Sequence, residues 1–200
     1  MRAEALAVAG LEAQLDDRLL AAAEVLLRTR GKVLTAGVGT SGETARRMAH
    51  LLSVTGTPSL FIHPADGLHG RLGAVTRADV VIAISKGGES SELNEFTRRA
   101  KQLGAYVIAL TEDRDSPFAA IADLVIELTV PSEGEPGGIV AMGSTLVAAA
   151  WGDALAVVAM ELRGYPWGQV LFTHPGGAVG RVVMAEHADG LNGAAESQGD

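Results

Sequence analysis

Five short runs, Val33–Ala36, Ser59–Ile62, Val80–Ile84, Tyr106–Leu110 and Leu124–Leu128, carry apolar side chains on successive rather than alternate positions. A strand with one wet face alternates apolar and polar residues, so an unbroken apolar run marks a strand covered on both sides. The segments between the runs, 41–56, 65–72, 89–103 and 116–121, are read as helical stretches long enough to cross over from one parallel strand to the next, with right-handed connections expected. The pattern predicts a three-layer α/β/α sandwich around a five-stranded parallel sheet, flavodoxin-like or Rossmann-like.

Two helical stretches flank this unit. Val8, Leu11, Leu15, Leu19, Ala22 and Leu26 recur three or four residues apart, which predicts one amphipathic helix over residues 1–30 ending at Gly31. A long apolar helix near 141–163 and a short one near 166–172 close the fold. The long helix has the length of a membrane span, but Asp153 near its middle, Gly143, Ser144, Thr145 and Gly152 favour a buried core or subunit-interface helix. The 200 residues suit a single domain over 1–182, with the Gly-, Ala- and charge-rich 183–200 as a flexible tail.

Charge and composition narrow the partners. Sixteen Lys and Arg against 24 Asp and Glu leave a net charge of −8, which disfavours a nucleic acid or an anionic membrane as partner. There is no Cys, hence no disulfide framework and no cysteine nucleophile. The first 30 residues spread Glu4, Glu12, Asp16, Asp17 and Glu24 among leucines, unlike a signal peptide, so a cytoplasmic location is expected.

Ligands of open parallel sheets bind beyond the carboxyl ends of the strands, which directs attention to two loops. Gly37-Val38-Gly39-Thr40-Ser41-Gly42 has the spacing of a dinucleotide loop, but strand two ends Phe61-Ile62-His63-Pro64 without the acidic ribose anchor that such a site needs. Ser85-Lys86-Gly87-Gly88-Glu89-Ser90-Ser91-Glu92 opens a helix after strand three. Its amides, with the hydroxyls of Ser85 and Ser90 and the helix N-terminus, can converge on one phosphate; the plainer alternative is a strand-to-helix turn capped by Ser90. His63 reads as a structural loop histidine, and Asp153 as a buried hydrogen-bonding group.

The stretches Ser53-Val54-Thr55-Gly56-Thr57-Pro58, His63 to Gly70, Gly152-Asp153-Ala154-Leu155-Ala156 and His174-Pro175-Gly176-Gly177-Ala178-Val179-Gly180-Arg181 resemble the sugar isomerase (SIS) domain, in particular its arabinose 5-phosphate isomerase branch, over residues 3–182. That branch commonly continues into paired CBS domains, which this sequence is expected to lack. The resemblance implies an aldose–ketose isomerase acting on a phosphosugar without a cofactor or metal. It implies Glu133 as the proton-abstracting base, Glu92 and His174 as further catalytic groups and His69 as a histidine near the site. Glu135, two residues from Glu133, is an alternative base. Thr40, Ser41, Ser85, Lys86, Gly87 and Ser90 are expected on the phosphate.

Thr40 stands where the branch has Lys, and Lys86 where it has a neutral residue, so one positive charge is read as having moved between two loops facing the same ligand. A phosphosugar sensor and a phosphosugar lyase are the rival functions. The apolar surplus of the terminal helices predicts a homodimer or homotetramer, and the resemblance implies active sites shared between chains.

Overall fold

The computed structural model describes residues 1–176. The chain divides into two compact units after Arg163, within the 1–182 span expected as one domain. The motif residues Gly177–Arg181 and the tail expected over 183–200 lie outside the described residues.

In the first unit, Met1–Arg163, the strands are β1 (Val33–Gly37), β2 (Ser59–Phe61), β3 (Val80–Ile84), β4 (Tyr106–Thr111) and β5 (Leu124–Glu127). All pair in parallel in the order β2-β1-β3-β4-β5, with Val33 opposite Ser59 and Val80, and Val80 opposite Tyr106. Every residue of β1 and β3 is buried, as the unbroken apolar runs require.

The two sheet faces carry separate cores. Val33, Val80, Ile82, Ile84, Ile108, Leu110 and Ile126 pack with α1 (Arg2–Ala9), α2 (Asp17–Arg28), α3 (Gly39–Val54) and α6 (Gly143–Arg163). Leu34, Ala36, Val81, Ala83, Val107 and Ala109 meet Leu93, Phe96 and Ala100 of α5 (Ser91–Gln102), with Leu68 of α4 (Pro64–Leu68) against them. Trp151, Phe96 and Phe118 are among the largest fully buried side chains; burial of such a ring stabilises by about 2–3 kcal/mol.

Three connections differ from the sequence expectation. The single helix over 1–30 is two: α1 ends at Gly10, Leu15 is extended, and Asp16 restarts the helix by accepting the Arg18 N–H at 2.9 Å. The 65–72 helix is α4 followed by a 3₁₀ turn over Arg71–Ala74, separated by Gly70 at φ 117°. The crossover at 116–121 contains only a 3₁₀ turn, Ala119–Ile121.

At the amino edge of the sheet, Asp79 ties β1 to β3. It accepts from Lys32 N, Lys32 Nζ, Thr76 N and Thr76 Oγ1 at 2.7–3.0 Å. Burial opposes its ionisation, but these donors outweigh that cost and hold its pKa below the ordinary carboxylate value.

Among the described residues, one helix, α6, is long and apolar enough to cross a membrane. Nine of its 21 residues are buried against the rest of the unit. Gly152 lets α6 approach α3, since a Cβ there would stand 2.7 Å from Met48 Cε.

The second unit begins at Gly164. It contains α7 (Trp167–Phe172), introduced by Pro166 and followed by Thr173.

Candidate active site

The strand order reverses direction at the β1–β3 boundary. The chain leaves β1 toward α3 on one face and leaves β3 toward α5 on the other, which opens a crevice between the two following loops at the carboxyl edge. The first loop turns tightly: Gly39 has φ 58°, and a Cβ on Gly37 would meet Ser41 O at 2.7 Å. In the second, Gly88 has φ 69° and a Cβ there would lie 2.2 Å from Ser116 Oγ, so the backbone passes where only glycine fits. Asn94 Nδ2 of α5 fixes this loop by donating to Gly88 O at 2.9 Å. Among the described residues, no acceptor takes the N–H groups of Gly87, Gly88 and Glu89. These amides stand beside Ser90, whose side chain makes no capping bond to α5.

Next to this turn lies a small open cleft lined by Ser41, Lys86, Thr111, Glu112, Ser144 and Thr145 over a floor of Ile84, Leu110, Leu128 and Ala148. Lys86 is its electrostatic centre: Nζ lies 3.0 Å from Glu135 Oε2 and 3.9 Å from Glu112 Oε2. The backbone sets this arrangement, since Lys86 O accepts from Glu112 N at 2.8 Å and from Thr111 Oγ1 at 2.9 Å.

Glu135, 3% exposed, also accepts the Ser144 N–H of the first turn of α6 at 2.7 Å. Burial works against its charge, but the Ser144 amide and Lys86 prevail and its pKa falls below the usual carboxylate value. Glu112 goes the other way: burial raises its pKa, Lys86 offsets part of this, and the Glu135 charge adds to the rise. Glu112 Oε1 and Ser144 Oγ are buried without a hydrogen-bond partner among the described residues.

The structure sorts the sequence candidates. Ser41 and Lys86 line the cleft, and Ser85, Gly87 and Ser90 belong to the adjoining turn. Thr40 is exposed and faces a separate groove between α3 and α6. Glu92 is exposed on α5, and His69 is exposed at the end of α4. Glu133 is exposed, with Ser132 Oγ 3.3 Å from its Oε2. His174 belongs to the second unit, where Nδ1 lies 2.6 Å from Val170 O.

His63 is structural as expected, with Nδ1 accepting the Ala65 N–H and capping α4. Asp153 is not a buried hydrogen-bonding group: it is half-exposed and ion-paired with Arg47, because it faces the α3 side of α6 rather than the core. The sequence reading missed Glu112, Ser144 and Thr145 as cleft residues. The position of Glu112 directly after strand four was the available signal. Among the described residues, no cluster of His, Asp or Glu is arranged to hold a metal ion.

The SIS domain family model matches residues 26–157, and the chain belongs to that family. Within it, the chain is 38% identical over 183 residues to arabinose 5-phosphate isomerase KdsD of Pseudomonas aeruginosa, covering 92% of this chain and 56% of that protein. The corresponding enzyme of Escherichia coli K12 is 39% identical over 177 residues, covering 88% of this chain and 54% of the enzyme. The chain thus spans about half the length of these curated relatives. An E. coli CFT073 protein solved in complex with A5P superposes with a TM-score of 0.83 at 35% identity, covering 88% of this chain and 93% of that one.

Proposed function

We propose that the chain interconverts a phosphorylated aldose and its ketose through an enediol, with arabinose 5-phosphate and ribulose 5-phosphate as the leading pair. The observation that carries this is the cleft at the carboxyl ends of β3, β4 and β5, beside the phosphate turn, in a chain with 38–39% identity to arabinose 5-phosphate isomerases. The phosphate sits at the start of α5, held by the free amides of the Gly87–Gly88 turn and the hydroxyls of Ser85, Ser90 and Ser41. Lys86 serves the sugar end instead: its charge is already matched by the Glu135 carboxylate at 3.0 Å, which leaves a corner suited to neutral hydroxyls rather than to a phosphate dianion.

Glu133 is the base for the carbon-bound proton. Glu135, the alternative on the same loop, has its carboxylate engaged by an amide and a lysine and is lowered in basicity. Glu92, His69 and His174 are assigned to the site by family resemblance. Glu133→Gln should abolish solvent deuterium exchange into the substrate while phosphosugar binding persists; retained exchange removes Glu133 from this role.

The assembly we propose is a homodimer or homotetramer. Leu6 of α1 and Leu146 and Val157 of α6 are 44–61% exposed, apolar side chains that a second copy can cover. Active sites shared between copies through the His69 and His174 regions are part of this proposal.

A further inference from the structure

Of the two carboxylates that meet Lys86, Glu135 is engaged by the Ser144 amide and the lysine, and Glu112 has no task in the chemistry above. It lies on the wall formed by the end of β4, its backbone N–H bonded to Lys86 O at 2.8 Å. Its Oε2 lies 3.9 Å from Lys86 Nζ, while its Oε1 is buried and has no hydrogen-bond partner among the described residues. A buried carboxyl oxygen left without a donor is destabilising unless a ligand or water meets it. We infer that Glu112 is the acid–base residue for the oxygens of the sugar, carrying the proton between the two oxygen atoms that exchange carbonyl and hydroxyl character. This rests on the isomerase reading above.

The step balances with two proton carriers. In the aldose-to-ketose direction Glu133 takes the C2 proton, the C–H electron pair forms the C1=C2 bond as the C1=O1 π pair moves onto O1, and O1 takes the proton of protonated Glu112. The enediol then returns its O2 proton to the Glu112 carboxylate, the C2–O2 double bond forms, and C1 takes the proton held by Glu133. Both residues end as they began, and no co-reactant is consumed.

The surroundings suit this role. The charged groups facing Glu112 are Lys86 from the β3–α5 turn and Glu135 from the loop before α6; α3 and α6 contribute the uncharged Ser41, Ser144 and Thr145. Burial and the Glu135 charge favour the protonated form, and Lys86 keeps the ionised form within reach, as a group that must both give and take a proton requires. Glu135 is held ionised, so the neighbouring carboxyls are pushed apart and take different roles.

The test compares wild type, Glu112→Gln and Lys86→Met on a pentose 5-phosphate, with kcat and KM followed across pH. Wild-type turnover establishes the isomerase reading; a wild type inactive on every phosphosugar overturns that reading and this assignment together. Given turnover, Glu112→Gln should lower kcat by about 100-fold or more with KM changed by less than about threefold, and should erase one limb of the kcat–pH profile. Lys86→Met removes the charge that stabilises ionised Glu112, so the same limb should move to higher pH. This arm decides the matter if Glu112→Gln fails to fold. A Glu112→Gln kcat within about threefold of wild type, or a limb unmoved by Lys86→Met, overturns the assignment.

Discussion

Two carboxylates share one lysine, and their unequal surroundings set the residue-scale chemistry. Glu135 is gripped by Ser144 N and Lys86, and removal of either partner leaves a carboxylate buried without compensation. Lys86→Met should therefore lower stability by about 2 kcal/mol in chemical denaturation, below the figure for a fully buried pair because the lysine is partly exposed. The pH dependence has opposite signs for the two acids. Glu135 has a folded pKa below its unfolded value, so its stabilisation is full above the unfolded value and is lost as pH falls through the folded one. Glu112 has a raised folded pKa, so it weakens the fold above that pKa, and the penalty is relieved as pH falls toward the unfolded value. Glu135→Gln should flatten the acid limb of the stability curve, and Glu112→Gln should raise stability at neutral relative to mildly acidic pH; the reverse assignment of slopes contradicts the account. In the sequence, Glu112 hides at the head of the charged run Glu112-Asp113-Arg114-Asp115, which reads as a solvated loop. Only the bond from its own amide to Lys86 O turns it into the cleft.

At the level of elements, the strands were legible because burial on both faces leaves no polar residue inside β1 or β3 except Thr35, and their ends deviate by a residue at most. The N-terminal helix misled because heptad-like spacing continues through the break: Leu11 and Leu15 keep the apolar stripe while Gly10 and Asp16 end one helix and start the next. The connections after β2 and β4 fall short of full crossover helices: the first holds the five-residue α4 and a 3₁₀ turn, the second a single 3₁₀ turn, too little chain for a helical period to show. The β3–α5 turn was legible in its glycines but not in its reason. Gly88 combines a left-handed backbone with Ser116 packed where a Cβ would stand. Gly88→Ala should cost at least about 2 kcal/mol of stability and weaken phosphosugar binding, measured by denaturation and calorimetry. Unchanged stability and affinity in Gly88→Ala would show that the turn has room to relax.

For the whole molecule, the described fold leaves Leu6, Leu146, Val157 and Leu162 at the surface of α1 and α6, although the sheet beneath is covered on both faces. Sedimentation at micromolar concentration should show a dimer or tetramer, and Val157→Glu should shift it toward monomer without loss of helical content; a wild-type monomer contradicts the assembly. The cleft and the phosphate turn of the proposed site lie within Met1–Arg163, whereas His174 belongs to the second unit and is proposed by resemblance alone. Whether these compose one catalyst is tested most directly by incubating the chain with arabinose 5-phosphate in D₂O and following the sugar by proton NMR. The expected product is ribulose 5-phosphate carrying solvent deuterium at C1, formed at equal rate with and without a metal chelator. Absence of both turnover and carbon-bound exchange, on this sugar and on a panel of pentose, hexose and heptose phosphates, would contradict the isomerase assignment.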